Sequence, residues 1–268
     1  MKCKTELLGI KLRELENWFE GKGRAAVAFS GGVDSTLVAA VASRVLGDNA
    51  LAVTVATEFT GKEDIRTAIS TAGELGIKHE IINFDLPSEI LGNPPDRCYL
   101  CKRGMMEKII GVARRRGIEW IVDGTNADDI SSDRPGLDAL RETGIKSPLA
   151  EAGIHKAEVR AISALIGMDA DRTSNSCLAT RFPFNYRVTK EEAEMVEAAE
   201  ACLRRFGFRT VRVRTRDKVA RIEVSREEVE TALRLALQGG ITQELKGIGY
   251  RRVSLDLEGY QPGCNEVP

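Results

Sequence analysis

Ser30-Gly31-Gly32-Val33-Asp34-Ser35-Thr36, directly after the apolar run Ala25-Ala26-Val27-Ala28-Phe29, is the stretch that decides the fold. It reads as strand, glycine-rich turn and helix, because Leu37, Val38, Val41, Ala42, Val45 and Leu46 follow at helical spacing. Such a turn leaves backbone N–H groups unpaired at a helix N-terminus, where they and the helix dipole favour an anion. Two glycines remove the side chains that would block close approach of a phosphate. The Gly-Lys-Ser/Thr ending of a Walker loop is missing, so no lysine of the loop reaches toward a terminal phosphate. The carboxylate of Asp34 instead suggests a magnesium ion bridging to pyrophosphate oxygens.

Outward from this loop, strands and helices alternate. Lys4 to Phe19 has the pattern of an amphipathic helix, with Leu7, Leu8, Leu12, Leu15, Trp18 and Phe19 in one stripe. Leu51 to Ala56, Glu80 to Phe84 and Glu119 to Val122 read as strands. Between them, Ile65 to Leu75 reads as a helix stopped by Gly76, and a helix carrying Met105, Met106, Ile109, Ile110 and Val112 follows Cys101. This rhythm predicts an α/β domain with a parallel, doubly wound sheet and ligands at the carboxyl ends of its strands. The opening loop lies at one such end, and Asp123-Gly124-Thr125-Asn126-Ala127-Asp128-Asp129 lies at another.

The pattern lapses between Asp171 and Tyr186. Beyond it, Thr189 and Glu192 form a capping box opening a helix that buries Met195, Ala199, Leu203 and Phe206. Strands at 210–214, 219–224 and 252–257 and a helix at 226–237 complete a smaller α+β domain. The expected division is therefore residues 1–174 and 175–268.

Composition narrows the function. A chain of 268 residues with 43% hydrophobic residues builds a sizeable core. A formal charge of −1 argues against coating nucleic acid. No apolar run approaches the roughly 20 residues of a membrane span, and the first residues lack the apolar core of a signal peptide. A cytoplasmic protein is expected, and in that compartment six cysteines read as thiols, metal ligands or redox groups.

Cys98 and Cys101 form a single C-x-x-C within Asn93 to Lys102, a pattern shared by redox pairs, zinc sites and iron–sulfur clusters. With no second C-x-x-C and only His79 and His155, a four-ligand zinc site is poorly supported. Cys177, in Asn175 to Pro183, is a third thiol in a polar setting. Three thiolates can hold a 4Fe–4S cluster and leave one iron open for an external ligand such as sulfide. Cys202 falls on the buried stripe of its helix and reads as core, His155 as a surface or capping residue.

The loop resembles that of the PP-loop ATP pyrophosphatases, whose members adenylylate a substrate and release pyrophosphate. Taken with Asn93 to Lys102, Asp123-Gly124-Thr125-Asn126, Ser147-Pro148-Leu149, Ser176 to Arg181 and Ser254 to Tyr260, the chain resembles the LarE family over nearly its whole length. The resemblance implies an adenine nucleotide alpha hydrolase-like fold and an ATP-dependent sulfurtransferase serving nickel-pincer cofactor biosynthesis. A carboxylate of pyridinium-3,5-biscarboxylic acid mononucleotide would become an acyl-adenylate, and sulfur would then displace AMP. ATP and Mg2+ would sit on Ser30 to Thr36 with Gly124 and Thr125. Sulfur would come either from Cys177 itself, leaving dehydroalanine, or from a 4Fe–4S cluster on Cys98, Cys101 and Cys177. Three cysteines favour the cluster. The family also implies a homo-oligomer, and the sulfide donor stays unidentified.

Arg212 and Arg214 alternate with Val211 and Val213, so both guanidinium groups leave the same strand face. The resemblance makes them, with Arg181, candidates for the substrate's phosphate. A solvated strand face is the alternative. A tRNA thiolase of the same superfamily is the competing function, disfavoured by the near-neutral charge.

Overall fold

Apolar runs, interrupted only by Thr54, form the two central strands, β1 (Ala25–Ala28) and β2 (Ala50–Ala56), and almost every residue of both is buried. Burial without alternation is the mark of a parallel sheet covered on both faces. The chain, described by a computed structural model over residues 2–130, 135–170 and 176–261, divides into two compact units. The first comprises Met1–Thr57, Lys62–Asp85 and Asp96–Asn175; the second comprises Glu58–Gly61, Leu86–Pro95 and Ser176–Pro268. The position expected for the boundary, 174/175, lies outside the described residues, as does Cys264.

The first unit runs α1 (Lys2–Phe19), β1, α2 (Val33–Leu46), β2, α3 (Lys62–Leu75) and β3 (Lys78–Asn83). The short helix α4 (Ser88–Leu91) belongs to the second unit. The first then resumes with α5 (Arg97–Arg115), β4 (Trp120–Val122), α6 (Ala127–Ile130), α7 (Pro135–Thr143), α8 (Pro148–Glu151) and α9 (Lys156–Leu165). The strands are parallel in the order β3-β2-β1-β4, with Ala25 opposite both Ala50 and Trp120. This is the predicted α/β doubly wound sheet of a PP-loop fold. From β1 the chain winds one way to β2 and β3 and then returns to place β4 on the other side. The carboxyl ends of β1 and β4 therefore flank a topological switch point, where such sheets bind ligands. Leu15, Phe19, Leu37, Val38 and Ile162 from α1, α2 and α9, with Ile154 from the turn before α9, contribute to the core.

The second unit contains α10 (Lys190–Arg205), β5 (Val211–Arg216), β6 (Val219–Val224), α11 (Val229–Leu237), α12 (Gly240–Ile248) and β7 (Arg252–Leu255). β5 and β6 are antiparallel, whereas β6 and β7 are parallel. The capping box expected at Thr189 is present, with Glu192 N–H donating to Thr189 Oγ1 and Thr189 N–H to Glu192. Residues 226–228 are a 3-10 turn, so the helix expected from Arg226 begins at Val229. Cys202 is buried in this core beside Leu203, Val213, Ile222 and Leu245.

Candidate functional site

In the first unit the loop between β1 and α2 is held by its own serines. Ser35 Oγ accepts from Ser30 N–H at 3.2 Å and lies 3.1 Å from Ser30 Oγ, which accepts from Gly32 N–H at 3.3 Å. Gly31 has φ +76°, a left-handed conformation, and a Cβ there would stand 3.1 Å from the Ala68 backbone. Gly124, at the end of β4, is closer still: a Cβ would meet Ser35 N at 2.7 Å. The two strand ends thus touch through backbone alone. Val33, Ser35 and Thr36 are buried at the start of α2, and Thr36 Oγ1 has no hydrogen-bond partner among the described residues.

Asp123 organises the second strand end. Its buried carboxylate accepts from Thr125 N–H at 3.1 Å, Thr125 Oγ1 at 2.6 Å and Ser147 Oγ at 2.8 Å. Lys102 Nζ, from α5, stands 3.9 Å away. Asn126 Nδ2 donates to Asp34 Oδ1 at 3.3 Å, and Lys156 Nζ donates to Asp34 Oδ2. Asp34 therefore sits between an amide and an ammonium at the switch point. Its carboxylate and the orphaned Thr36 hydroxyl are hard oxygen donors of the kind Mg2+ takes.

Cys98 and Cys101 are the second and fifth residues of α5, three residues apart and so on neighbouring positions of one face. Cys98 is exposed, and Cys101 donates to Met105 Sδ at 3.6 Å. Neither thiol is in a disulfide.

In the second unit Cys177 is exposed and caps the 3-10 turn Leu178–Arg181. Arg181 is completely buried beneath it. Its guanidinium donates to the carbonyls of Ser176 (2.8 Å) and Cys177 (3.1 Å) and forms a two-pronged ion pair with Glu200 (2.8 and 3.0 Å). Asn93, also buried, donates from Nδ2 to the carbonyls of Ala179, Phe182 and Pro183. Arg214 is buried as well, pairs with Glu223 at 3.1 Å and donates to the Thr180 carbonyl. Arg212 is half-buried, with its guanidinium 5.2 Å from the Tyr260 ring centre. Burial, then the neighbouring Arg181 charge, pulls its pKa below the usual guanidinium value.

A family model described as NAD synthase matches residues 16–103. Over 244 residues the chain is 37% identical to the pyridinium-3,5-bisthiocarboxylic acid mononucleotide synthase of Lactiplantibacillus plantarum, covering 90% of this chain and 88% of that protein. The chain belongs to the LarE family. It is also 40% identical to an uncharacterized protein of Synechocystis (96% of this chain, 97% of that one). An uncharacterized protein of Methanocaldococcus jannaschii is 31% identical over 94% of this chain and 96% of its own length.

LarE enzymes are ATP-using sulfurtransferases. Among the described residues no group of three His, Cys, Asp or Glu side chains is poised to hold a metal ion. No described helix is long and apolar enough to cross a membrane. Sequence reasoning missed Lys156, Asn93, Glu200 and Glu223. One signal was present for Lys156: it is the first residue of α9, where the helix dipole disfavours a cation.

Proposed function

We propose that this chain inserts sulfur into a carboxylate of pyridinium-3,5-biscarboxylic acid mononucleotide, at the expense of ATP, for nickel-pincer cofactor biosynthesis. The observation that carries this reading is full-length similarity to the Lactiplantibacillus plantarum synthase, joined to a glycine loop with Asp34 at the switch point. In the first step a carboxylate oxygen of the substrate attacks the α-phosphorus of ATP. The bond to the bridging oxygen breaks and pyrophosphate leaves. Loop amides at the start of α2 stabilise the charge gathering on the leaving group, the role such donors play best when fixed in advance. In the second step a sulfur nucleophile attacks the acyl carbon and AMP departs, leaving a thiocarboxylate.

The substrate's phosphate is assigned to Arg212, with Arg214 and Arg181 behind it. Glu200 pairs with Arg181 and Arg204, and Glu223 with Arg214 and Arg221, so with Arg212 five guanidinium groups stand against these two carboxylates. The smaller unit is thereby the substrate-binding part, and a homo-oligomer is its proposed assembly state.

Cys98, Cys101 and Cys177 would hold a 4Fe–4S cluster, and the fit rests on donor chemistry: three thiols outside any disulfide, two of them on one helix face. When bound, such a cluster supplies a transferable sulfide. A second reading has the Cβ–Sγ bond of Cys177 break by β-elimination after acyl transfer, leaving dehydroalanine; exposure of that thiol favours it.

Anaerobic purification with iron, sulfide and pyrophosphate analysis tests both. About four irons per chain and an unaltered Cys177 after turnover are expected. A colourless protein whose residue 177 loses the mass of hydrogen sulfide replaces the cluster with sacrifice. Absence of pyrophosphate release with the mononucleotide overturns the proposed reaction.

A further inference from the structure

We propose that Lys156 is the side chain that neutralises the pyrophosphate group of ATP at this loop, held on Asp34 until the nucleotide arrives. The inference rests on reading the loop as a pyrophosphate cradle. The loop itself carries no lysine, and its anion-binding capacity otherwise comes from backbone amides and the dipole of α2. Lys156 comes from a distant element, and its ammonium reaches Asp34, the second residue of α2.

The placement of Lys156 is built rather than incidental. Its own N–H donates to Asp128 Oδ2 at 2.7 Å, while Asp128 Oδ1 lies 2.6 Å from His155 Nδ1. His155 is itself the N-cap of α9, and its N–H is taken by Glu158 at 2.9 Å. The first turn of α9 is thus fixed from two sides, and the lysine stem leaves it toward the loop. A cation at this end of a helix works against the dipole. An arriving polyanion turns that arrangement from a cost into an attraction.

Asp34 has only two oxygens, and Asn126 Nδ2 already takes one. A divalent cation entering with the nucleotide competes with Lys156 for the other. Lysine suits the exchange: its charge sits on a flexible stem with three rotatable donors, so it can leave the carboxylate for a phosphate oxygen nearby. The pair is also accessible, with side-chain exposures of 42% for Lys156 and 22% for Asp34. The buried Thr36 hydroxyl, without a partner among the described residues, is a second donor in the loop left for the same ligand.

Calorimetry of pyrophosphate, ATP and AMP binding to the full-length protein decides the matter, in EDTA and in Mg2+. Lys156→Met should weaken pyrophosphate and ATP by about tenfold or more and leave AMP within about twofold, a factor of ten being 1.4 kcal/mol. Lys156→Arg should retain most of the lost affinity. Asp34→Asn, which releases the ammonium, should strengthen pyrophosphate binding in EDTA. Unchanged pyrophosphate affinity in Lys156→Met overturns the proposal, as does an equal loss for pyrophosphate and AMP. Failure of the wild-type protein to bind pyrophosphate at all would overturn the reading of the loop instead.

Discussion

Asn93 donates its side-chain amide to the Pro183 carbonyl at 2.7 Å, joining residues 90 positions apart within the second unit. The same amide faces the carbonyls of Ala179 and Phe182, and Asn93 holds φ at +54°. Asn93→Ala removes the donor and strains the left-handed backbone. A loss of about 1–3 kcal/mol is expected from the orphaned carbonyls, plus about 1–2 kcal/mol of backbone strain. Asn93→Gly should lose only the first part. Urea unfolding of the two variants measures the difference; equal destabilisation would mean the backbone conformation contributes nothing.

The ion pair of Arg181 and Glu200 is almost fully removed from water. Arg181→Met leaves a buried carboxylate with only Arg204 and the Val213 N–H as remaining named donors. Breaking one side of such a pair costs about 3–5 kcal/mol. The same change releases the Ser176 and Cys177 carbonyls, so alkylation of Cys177 should accelerate. Unfolding curves and mass-resolved labelling report the two effects separately. A variant as stable as wild type would count against a buried pair.

At Gly124 the loop and the end of β4 are in backbone contact. A Cβ there would stand 2.7 Å from Ser35 N and 2.9 Å from Ser35 Cα, so Gly124→Ala must displace the loop. The protein should fold, with pyrophosphate release slowed by about a hundredfold, the scale of a misplacement near 1 Å. Comparing the initial rate of release in variant and wild type is sufficient. An undiminished rate would show that the loop tolerates the shift.

His79 links stability to pH. Its Nε2 lies 2.8 Å from Thr54 Oγ1, which donates to the Phe29 carbonyl just before the loop. The ring therefore donates to Thr54 and leaves Nδ1 unprotonated. Burial holds its pKa below 6.5, so the fold favours the neutral ring and the unfolded chain binds the proton more readily. Stability is complete above about pH 6.5 and falls as pH drops through the lowered folded value. His79→Gln should flatten that dependence. Thermal midpoints across pH 5–8, an interval of roughly three units about the ordinary His value, give the answer.

Much of this was legible because it is local. The apolar run, paired glycines and helical spacing around Ser30 to Thr36 place β1, the loop and α2 without help from elsewhere. Thr189 and Glu192 are three residues apart and meet as expected. What escaped depends on distant partners. Glu200 and Glu223 look like ordinary acids on an amphipathic helix and a strand, and only folding brings Arg181 and Arg214 against them. Residues 58–61 and 86–95 group with the second unit, which chain continuity conceals. The helix α12 was missed because Gly240 and Gly247 depress its local propensity.

The anchors at the turn of Cys177 have a chemical corollary. Arg181 grips the carbonyl oxygens of residues 176 and 177, Arg214 that of residue 180, and Asn93 those of 179, 182 and 183. All of these grips are on main-chain oxygen. Were residue 177 to surrender its sulfur, these main-chain anchors would still be available to hold the turn. A spent chain would then accumulate as a folded, silent population, separated from fresh chains by its mass and by the loss of an alkylatable thiol.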